Sequence, residues 1–197
     1  KVEDLAGKSI ATTFASTSHY SLLQVLNEAG IADQVQLLDM QTVDIVAAWE
    51  RGDIDAAYTW QPSLGSLLEN GDMLVSSEQV AAMGHQTANV LLARKGFTEQ
   101  HPELTADFIA ALIAGGNLYR ENPEQAAAIV AVPLGITVEN ALGQMQGSIW
   151  LTAEEEISEA YMGTSETAGD FSKVMKETAD FLLEQGSITE SPSQEEF

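Results

Sequence analysis

The sequence predicts an α/β protein, and two features of its pattern support this. Over residues 8–93, short apolar runs alternate with segments of helical period, which is typical of βαβ units. Beyond Gly96, helix signals follow one another without intervening strands. We therefore expect an α/β lobe in the first half of the chain and a mostly helical second half.

The first half is predicted to alternate strands and helices. Strands are expected at residues 9–14, 35–40, 54–60, 73–75 and 89–93. Helices are expected to follow the first three strands and to end at Gly30, Gly52 and Gly71, because glycine readily adopts the left-handed conformation that ends a helix. The apolar face of the first helix should lie in the core and consists of Leu22, Leu23, Val25, Leu26 and Ala29.

The second half carries helix-start signals. Pro102 stands where the missing N–H of a first helical residue costs nothing. Thr152 and Glu155 have the spacing of a capping box, in which each side chain bonds the other's backbone N–H. A last helix is expected over residues 166–185, followed by a polar tail.

Composition excludes several classes of function. The 197 residues include eight basic and thirty acidic side chains, giving a formal charge of -22. Such a chain should not bind nucleic acid or an anionic membrane surface. There is no cysteine, so disulfides and thiolate metal sites are excluded, and no apolar run is long enough for direct membrane insertion.

The segment of residues 13–20, between the first strand and the first helix, is the strongest site candidate. Ser16, Thr17 and Ser18 offer hydroxyl groups, and the first N–H groups of a helix have no acceptor within it. Together they predict a site for an oxyanion, and a sulfonate is the oxyanion we expect. An ordinary N-cap is the alternative for these hydroxyls.

Aromatic residues supply further candidates. His19 is a possible ligand contact, and Tyr20 either contacts ligand or anchors the helix in the core. Trp60, at the end of a strand, could pack on an ethyl group of a ligand or face the ammonium group of a ligand. Tyr58 and Trp49 are expected in the core.

Three segments resemble one family. They are residues 4–8 (Asp-Leu-Ala-Gly-Lys), residues 16–20 (Ser-Thr-Ser-His-Tyr), and residues 47–62, which end in Trp-Gln-Pro. These segments look like the periplasmic taurine-binding proteins of ABC importers, within the sulfonate, nitrate and taurine solute-binding family. The resemblance spans nearly the whole chain and adds Pro62 to the candidate ligand-binding residues.

The resemblance implies a type II periplasmic-binding-protein-like fold with two α/β lobes and the ligand in the cleft between them. Residues 1–92 would form the second lobe, and residues 93–197 would return to the first lobe. The chain looks truncated at its start, because a Gly-Ser-Ser-Pro-like ligand loop of the family is not found. An uncovered apolar surface is then expected around Leu91, Leu92, Phe108 and Leu112.

The implied function is capture of taurine or a related small organosulfonate and its delivery to a membrane permease, in the periplasm or another extracytoplasmic compartment. Asn89 departs from this pattern, since taurine-binding proteins carry an acidic residue at the similar position. Asparagine keeps an acceptor oxygen but loses the charge that would pair with the ligand amine.

Enzyme functions have weaker support. Pyridoxal-dependent pyrimidine-synthesis enzymes share the fold, but none of the five lysines falls at a predicted strand end facing the cleft. The three histidines lack metal-ligand spacing, and there is no Gly-x-Ser-x-Gly turn. A regulator's effector domain would bring a basic DNA-binding segment, which is missing. We expect a binding protein without metal or cofactor, and such an enzyme or a nitrate-binding protein remains the alternative.

Overall fold

The computed structural model describes residues 1–164 and 166–197. Their contacts group into two compact units. The first contains Lys1–Ala88 and Lys173–Phe197, and the second contains Asn89–Ser172. The sequence assigns residues 1–92 to one lobe and residues 93–197 to the other. That lobe boundary stays a prediction.

The first unit is built around a parallel sheet. Its strands are β1 (Ser9–Thr12), β2 (Gln36–Asp39) and β3 (Ala56–Ala57), in the order β2-β1-β3. Its helices are α1 (Thr17–Glu28), α2 (Thr42–Arg51), α3 (Ser63–Leu68), α4 (Ser77–Ala82) and, from Lys173 onward, α10 (Phe171–Glu184). Short 3-10 turns lie at Val2–Leu5, Ala32–Gln34 and Gln194–Glu196. The predicted βαβ alternation over the first three strands is confirmed.

Both faces of this sheet are covered. Successive side chains of a strand point to opposite faces, so Ile10 and Ala11 enter different clusters. Ile10 packs with Leu22, Leu26 and Ile31 on the α1 face. Ala11 packs with Ile45, Ala48, Ile54 and Leu67 on the other face, and the side of Trp49 packs against that cluster. Of the predicted core face of α1, Leu22, Val25 and Leu26 are buried, while Leu23 and Ala29 are half-buried. Trp49, predicted in the core, is half-buried beside it.

Asp55 fixes the start of β1 beside β3. Its carboxylate accepts a hydrogen bond from the Ser9 backbone N–H at 2.9 Å and another from Lys8 Nζ at 3.1 Å. The hydrogen bond from the Ser9 N–H is the main cause that lowers the pKa of Asp55 below its ordinary value, and Lys8 is a smaller one. This exposed acid therefore stays ionised and holds the two strands in register.

The strands predicted at residues 73–75 and 89–93 are wrong. Both segments have irregular backbone. A strand needs a neighbour for its N–H and C=O groups, and none of the described residues pairs with either segment. The apolar run at residues 90–93 resembles a buried strand in sequence, yet Leu91 and Leu92 are exposed to 65% and 87%.

The second unit is helical over its described residues. Its helices are α5 (Lys95–Gln100), α6 (Pro102–Glu121), α7 (Pro123–Leu134), α8 (Val138–Met145) and α9 (Ala153–Glu156). Pro102 begins α6, and the Thr152–Glu155 capping box begins α9, so both predictions are confirmed. Ala127, Ala131 and Ala141 form a small core between α7 and α8.

Apolar side chains of this unit remain exposed. Phe108 and Leu112 on α6 are 52% and 43% exposed, alongside the exposed Leu91 and Leu92. The predicted exposure of these four side chains is confirmed. Among the described residues no single helix is long and apolar enough to cross a membrane, although α7 and α8 together, bent by 110°, reach that length and composition.

Leu26→Ala tests the core packing of α1. Leu26 is fully buried in the cluster that includes Ile10, so the truncation should lower the free energy of unfolding by about 2–5 kcal/mol, measured by urea titration. Leu68→Ala is the matched control, because Leu68 is 39% exposed and should lose clearly less. Equal losses would contradict the packing described here.

Candidate functional site

The turn between β1 and α1, residues 13–16, is bound to the end of β2. The Thr13 hydroxyl donates to the Met40 carbonyl at 2.8 Å, and the Phe14 N–H donates to Asp39 Oδ1 at 2.9 Å. Because β1 and β2 are parallel neighbours, their carboxyl ends meet at one edge of the sheet. Ligands of α/β proteins bind at this type of edge.

Ser16 is the N-cap of α1. Its hydroxyl oxygen accepts from the His19 N–H at 3.2 Å and donates its own hydrogen to the Thr13 carbonyl at 2.5 Å. The N-cap alternative raised by the sequence therefore holds for the Ser16 side chain. Its hydroxyl hydrogen is used in a hydrogen bond within the turn and is not free for a ligand.

Three consecutive backbone donors remain at the start of α1. Among the described residues, none accepts a hydrogen bond from the N–H groups of Ser16, Thr17 or Ser18. Thr17 is exposed, while Ser18 is 6% exposed. The side-chain hydroxyl groups of both residues have no hydrogen-bond partner in the described part of the chain. This helix start thus presents the group of donors that an anion requires.

His19 lies behind the turn rather than on the surface. Its side chain is 2% exposed, and its ring stacks on Phe14 at a centroid distance of 4.2 Å. Phe181 of α10 meets the ring edge-on at 5.4 Å. Burial lowers the pKa of His19, and this outweighs the opposing effect of the Asp39 charge, so the ring is neutral at pH 7.

Tyr20 anchors α1 to α10. It is 7% exposed, its hydroxyl donates to Glu177 Oε2 at 3.4 Å, and its ring meets Phe181 edge-on. Burial, together with the Glu177 charge and hydrogen bond, raises the pKa of Tyr20. These contacts correspond to the core alternative considered for Tyr20.

Trp60 and Pro62 follow β3, the other neighbour of β1. Trp60 is 43% exposed, and the exposed Pro62 precedes the first residue of α3. Parallel pairing places the end of β3 at the same edge of the sheet as the turn of residues 13–16. Tyr58 is half-buried, and its hydroxyl is hydrogen-bonded to that of Ser77.

Asn89 belongs to the second unit, where it is exposed. The other candidates lie in the first unit: Ser16, Thr17, Ser18, His19, Tyr20, Trp60 and Pro62. Within the first unit, residues 16–20 follow β1 and Trp60 and Pro62 follow β3, so both segments begin at the same edge of the sheet.

Further polar groups lie at this edge. The hydroxyls of Thr12 and Thr59 are buried, and neither has a hydrogen-bond partner among the described residues. A cavity of about 400 Å³ opens beside the end of β2, with Asp39, Asp44 and Arg51 in its lining.

In the described ranges, no three His, Asp or Glu side chains are placed to hold a metal ion.

Sequence reasoning missed Ala15, within the turn, and Asp39, which binds the turn from the end of β2. Asp39 could have been suspected, since it is a carboxylate at a strand end. Ala15 gave no signal, although its φ of +56° is the left-handed conformation that a residue with a Cβ rarely adopts.

Comparison with known proteins places the chain in a family. Residues 1–126 match the family described as NMT1/THI5 like. The chain belongs to this NMT1/THI5-like family. It is also 38% identical over 199 residues to the taurine-binding periplasmic protein of Escherichia coli K12, an alignment covering 95% of this chain and 59% of that protein.

Solved structures share the fold. The periplasmic aliphatic sulphonate binding protein SsuA of Escherichia coli matches with a TM-score of 0.71 at 22% identity, covering 97% of this chain and 58% of that one. The alkanesulfonate-binding protein SsuA of Xanthomonas axonopodis pv. citri, bound to MOPS, matches with a TM-score of 0.69 at 20% identity, covering 98% and 62%.

The predicted fold class, an α/β protein like the periplasmic binding proteins, is confirmed by these matches. The resemblance to the taurine-binding family is confirmed as well. The chain spans about three fifths of the length of each of these three relatives.

The burial of His19 predicts a pH effect on stability. Its pKa in the folded protein lies below the ordinary 6.5, so below that pH the unfolded chain binds a proton that the folded protein does not. The free energy of unfolding should therefore fall as the pH drops from 7 toward 5. Urea titrations across this range measure the effect.

His19→Asn should flatten this pH profile, because the titrating ring is removed. Parallel profiles for wild type and His19→Asn would show that His19 does not titrate in this way.

Proposed function

We propose that this protein is the substrate-binding component of an importer, capturing taurine or a related small organosulfonate. The observation that carries this proposal is that the N–H groups of Ser16, Thr17 and Ser18, at the carboxyl edge of the sheet, have no acceptor in the part of the chain that the structure describes. The protein acts by binding and release, without covalent chemistry. A cleft that closes around the ligand is the usual mechanism for two-lobed binding proteins.

A sulfonate suits these donors. It is permanently anionic at neutral pH and weakly basic, so it is bound well by several hydrogen-bond donors without a single cationic partner. Residues 13–20 contain no lysine or arginine. The field of the helix adds about 0.3–1 kcal/mol for an anion at its start, and up to about 2 kcal/mol when the site is partly buried.

The acidic surface does not prevent anion binding. Charges more than about 8 Å away are largely screened at physiological salt. The nearby carboxylate of Asp39 accepts the Phe14 N–H, which partly offsets its repulsion. Taurine also carries an ammonium group, so the field of the whole protein acts on almost no net charge.

Two further candidate residues would contact the rest of the ligand. Trp60 presents a half-exposed indole, which could contact the ethyl group of taurine or face its ammonium at a gain of about 0.5–2 kcal/mol. Asn89 would offer the amine a neutral acceptor oxygen, which favours taurine less than a carboxylate would. Sulfonates without an amine are thus expected to compete well.

The relatives support a location and a partner for this protein. The taurine-binding protein of Escherichia coli is periplasmic by name, as is its SsuA protein. These likenesses support a periplasmic protein that delivers its ligand to a membrane permease. The similar proteins reported are named for binding rather than for catalysis, which supports a non-enzymatic role.

Thr17→Pro tests the backbone donors directly. Thr17 is the first residue of α1, where proline is well tolerated, and Ser16 already has the extended conformation (φ -112°, ψ 169°) that precedes proline. The variant loses one N–H and one hydroxyl while keeping the helix. Thr17→Ala loses only the hydroxyl, so the difference between the two variants isolates the N–H.

The protein expressed from its whole reading frame should be titrated calorimetrically with taurine, ethanesulfonate, sulfate and nitrate. Thr17→Pro should bind sulfonates about 10- to 100-fold more weakly than Thr17→Ala, as expected for one hydrogen bond to a charged group. Equal affinities of the two variants would remove the backbone donor from the site. A wild-type protein that binds nitrate or sulfate but no sulfonate would overturn the proposed ligand class.

A further inference from the structure

We propose that His19 is a positioning residue, which holds the turn of residues 13–16 through a hydrogen bond to Ala15 and does not contact the ligand. The proposal rests on the function proposed above, because the turn matters for binding only if the start of α1 receives the sulfonate. It assigns to His19 a role different from that of a direct ligand contact.

The bond that carries this role joins the Ala15 N–H to Nδ1 of His19 at 3.3 Å. Since the backbone group is the donor, Nδ1 must carry the free lone pair, and the neutral ring has its hydrogen on Nε2. Ala15 has a φ of +56°, which is unfavourable for a residue with a Cβ. A fixed acceptor for its N–H is therefore needed to keep this conformation.

The ring is held firmly enough to serve as that acceptor. Phe14 stacks on one face with an angle of 2° between the rings, and Phe181 closes the edge. The backbone N–H of His19 also bonds to the Ser16 hydroxyl, so His19 is joined to both Ala15 and Ser16. A tilt of the ring would break the bond to Ala15, whereas the bond to Ser16 is made by the backbone of His19.

These bonds decide which donors remain for a ligand. The N–H groups of Phe14 and Ala15 are used by Asp39 and His19. The next three, on Ser16, Thr17 and Ser18, have no acceptor among the described residues. Loss of the Nδ1 acceptor should free Ala15 to leave its left-handed conformation, which would turn the following N–H groups away from a common point.

The acceptor role can be separated from simple packing by two substitutions. His19→Phe keeps an aromatic ring between Phe14 and Phe181 but has no acceptor. His19→Asn loses the ring but places an oxygen close to the position of Nδ1. If packing alone mattered, phenylalanine would be the better replacement; if the acceptor matters, asparagine would be.

Calorimetry with ethanesulfonate, which has no amine and stays ionised throughout the neutral range, measures the consequence. Using the protein from its whole reading frame, His19→Phe should bind about three- to tenfold more weakly than wild type, as expected for the loss of one neutral hydrogen bond. His19→Asn should recover most of this affinity. If His19→Phe does not fold, His19→Gln replaces it, because its amide lies at the Nε2 position, out of reach of Ala15, and it should bind as weakly.

Amide hydrogen exchange on the ligand-free protein supplies a second readout. The Ala15 amide should lose protection in His19→Phe and keep it in His19→Asn, while the Phe14 amide, bonded to Asp39, stays protected in both. Unchanged Ala15 exchange in His19→Phe, or equally weak sulfonate binding by His19→Asn and His19→Phe, would overturn the positioning role. A wild-type protein with the expected exchange pattern but no sulfonate binding would instead overturn the proposed function.

Discussion

A helix begins with N–H groups that its own backbone cannot satisfy, and the site of this protein depends on how that deficit is distributed. At the start of α1, the Ser16 hydroxyl satisfies His19, while the N–H groups of Ser16, Thr17 and Ser18 are left without an acceptor among the described residues. In the preceding turn, the N–H groups of residues 14 and 15 donate hydrogen bonds to Asp39 and His19. The unsatisfied donors are thereby concentrated at one place, at the edge of the sheet where α/β proteins bind ligands.

This arrangement explains how a strongly acidic protein can be suited to an anion. The formal charge of -22 is a property of the whole surface, whereas the donors are neutral dipoles at the position proposed for the ligand. Neutral donors also avoid the desolvation that a buried cation would require. The core supports the same geometry, because Ile10 and Leu26 fix β1 against α1, and Tyr20 and His19 pack against Phe181 of α10.

The parts of the fold that local chemistry determines could be predicted from the sequence. The first three strands, the apolar face of α1 and the glycine after α2 follow from periodicity and from the conformations that glycine allows, and Gly52 indeed has a φ of +73°. The predicted strands at residues 73–75 and 89–93 failed because a strand also requires a partner. Apolar composition at Leu91 and Leu92 does not supply one.

The candidate site shows the same division. The hydroxyl-rich segment and its position after a strand were predictable, because capping chemistry is local. The bond between Ala15 and His19 was not, since it depends on a positive φ and on a ring held by Phe181, more than 160 positions along the chain.

The most direct measurement is a crystal structure of the protein from its whole reading frame with a bound sulfonate. The sulfonate oxygens should lie within about 3.2 Å of the backbone nitrogens at the start of α1, with the ring of His19 behind the turn and out of contact. Sulfonate density away from Thr17 and Ser18, with their N–H groups facing solvent, would contradict the central claim.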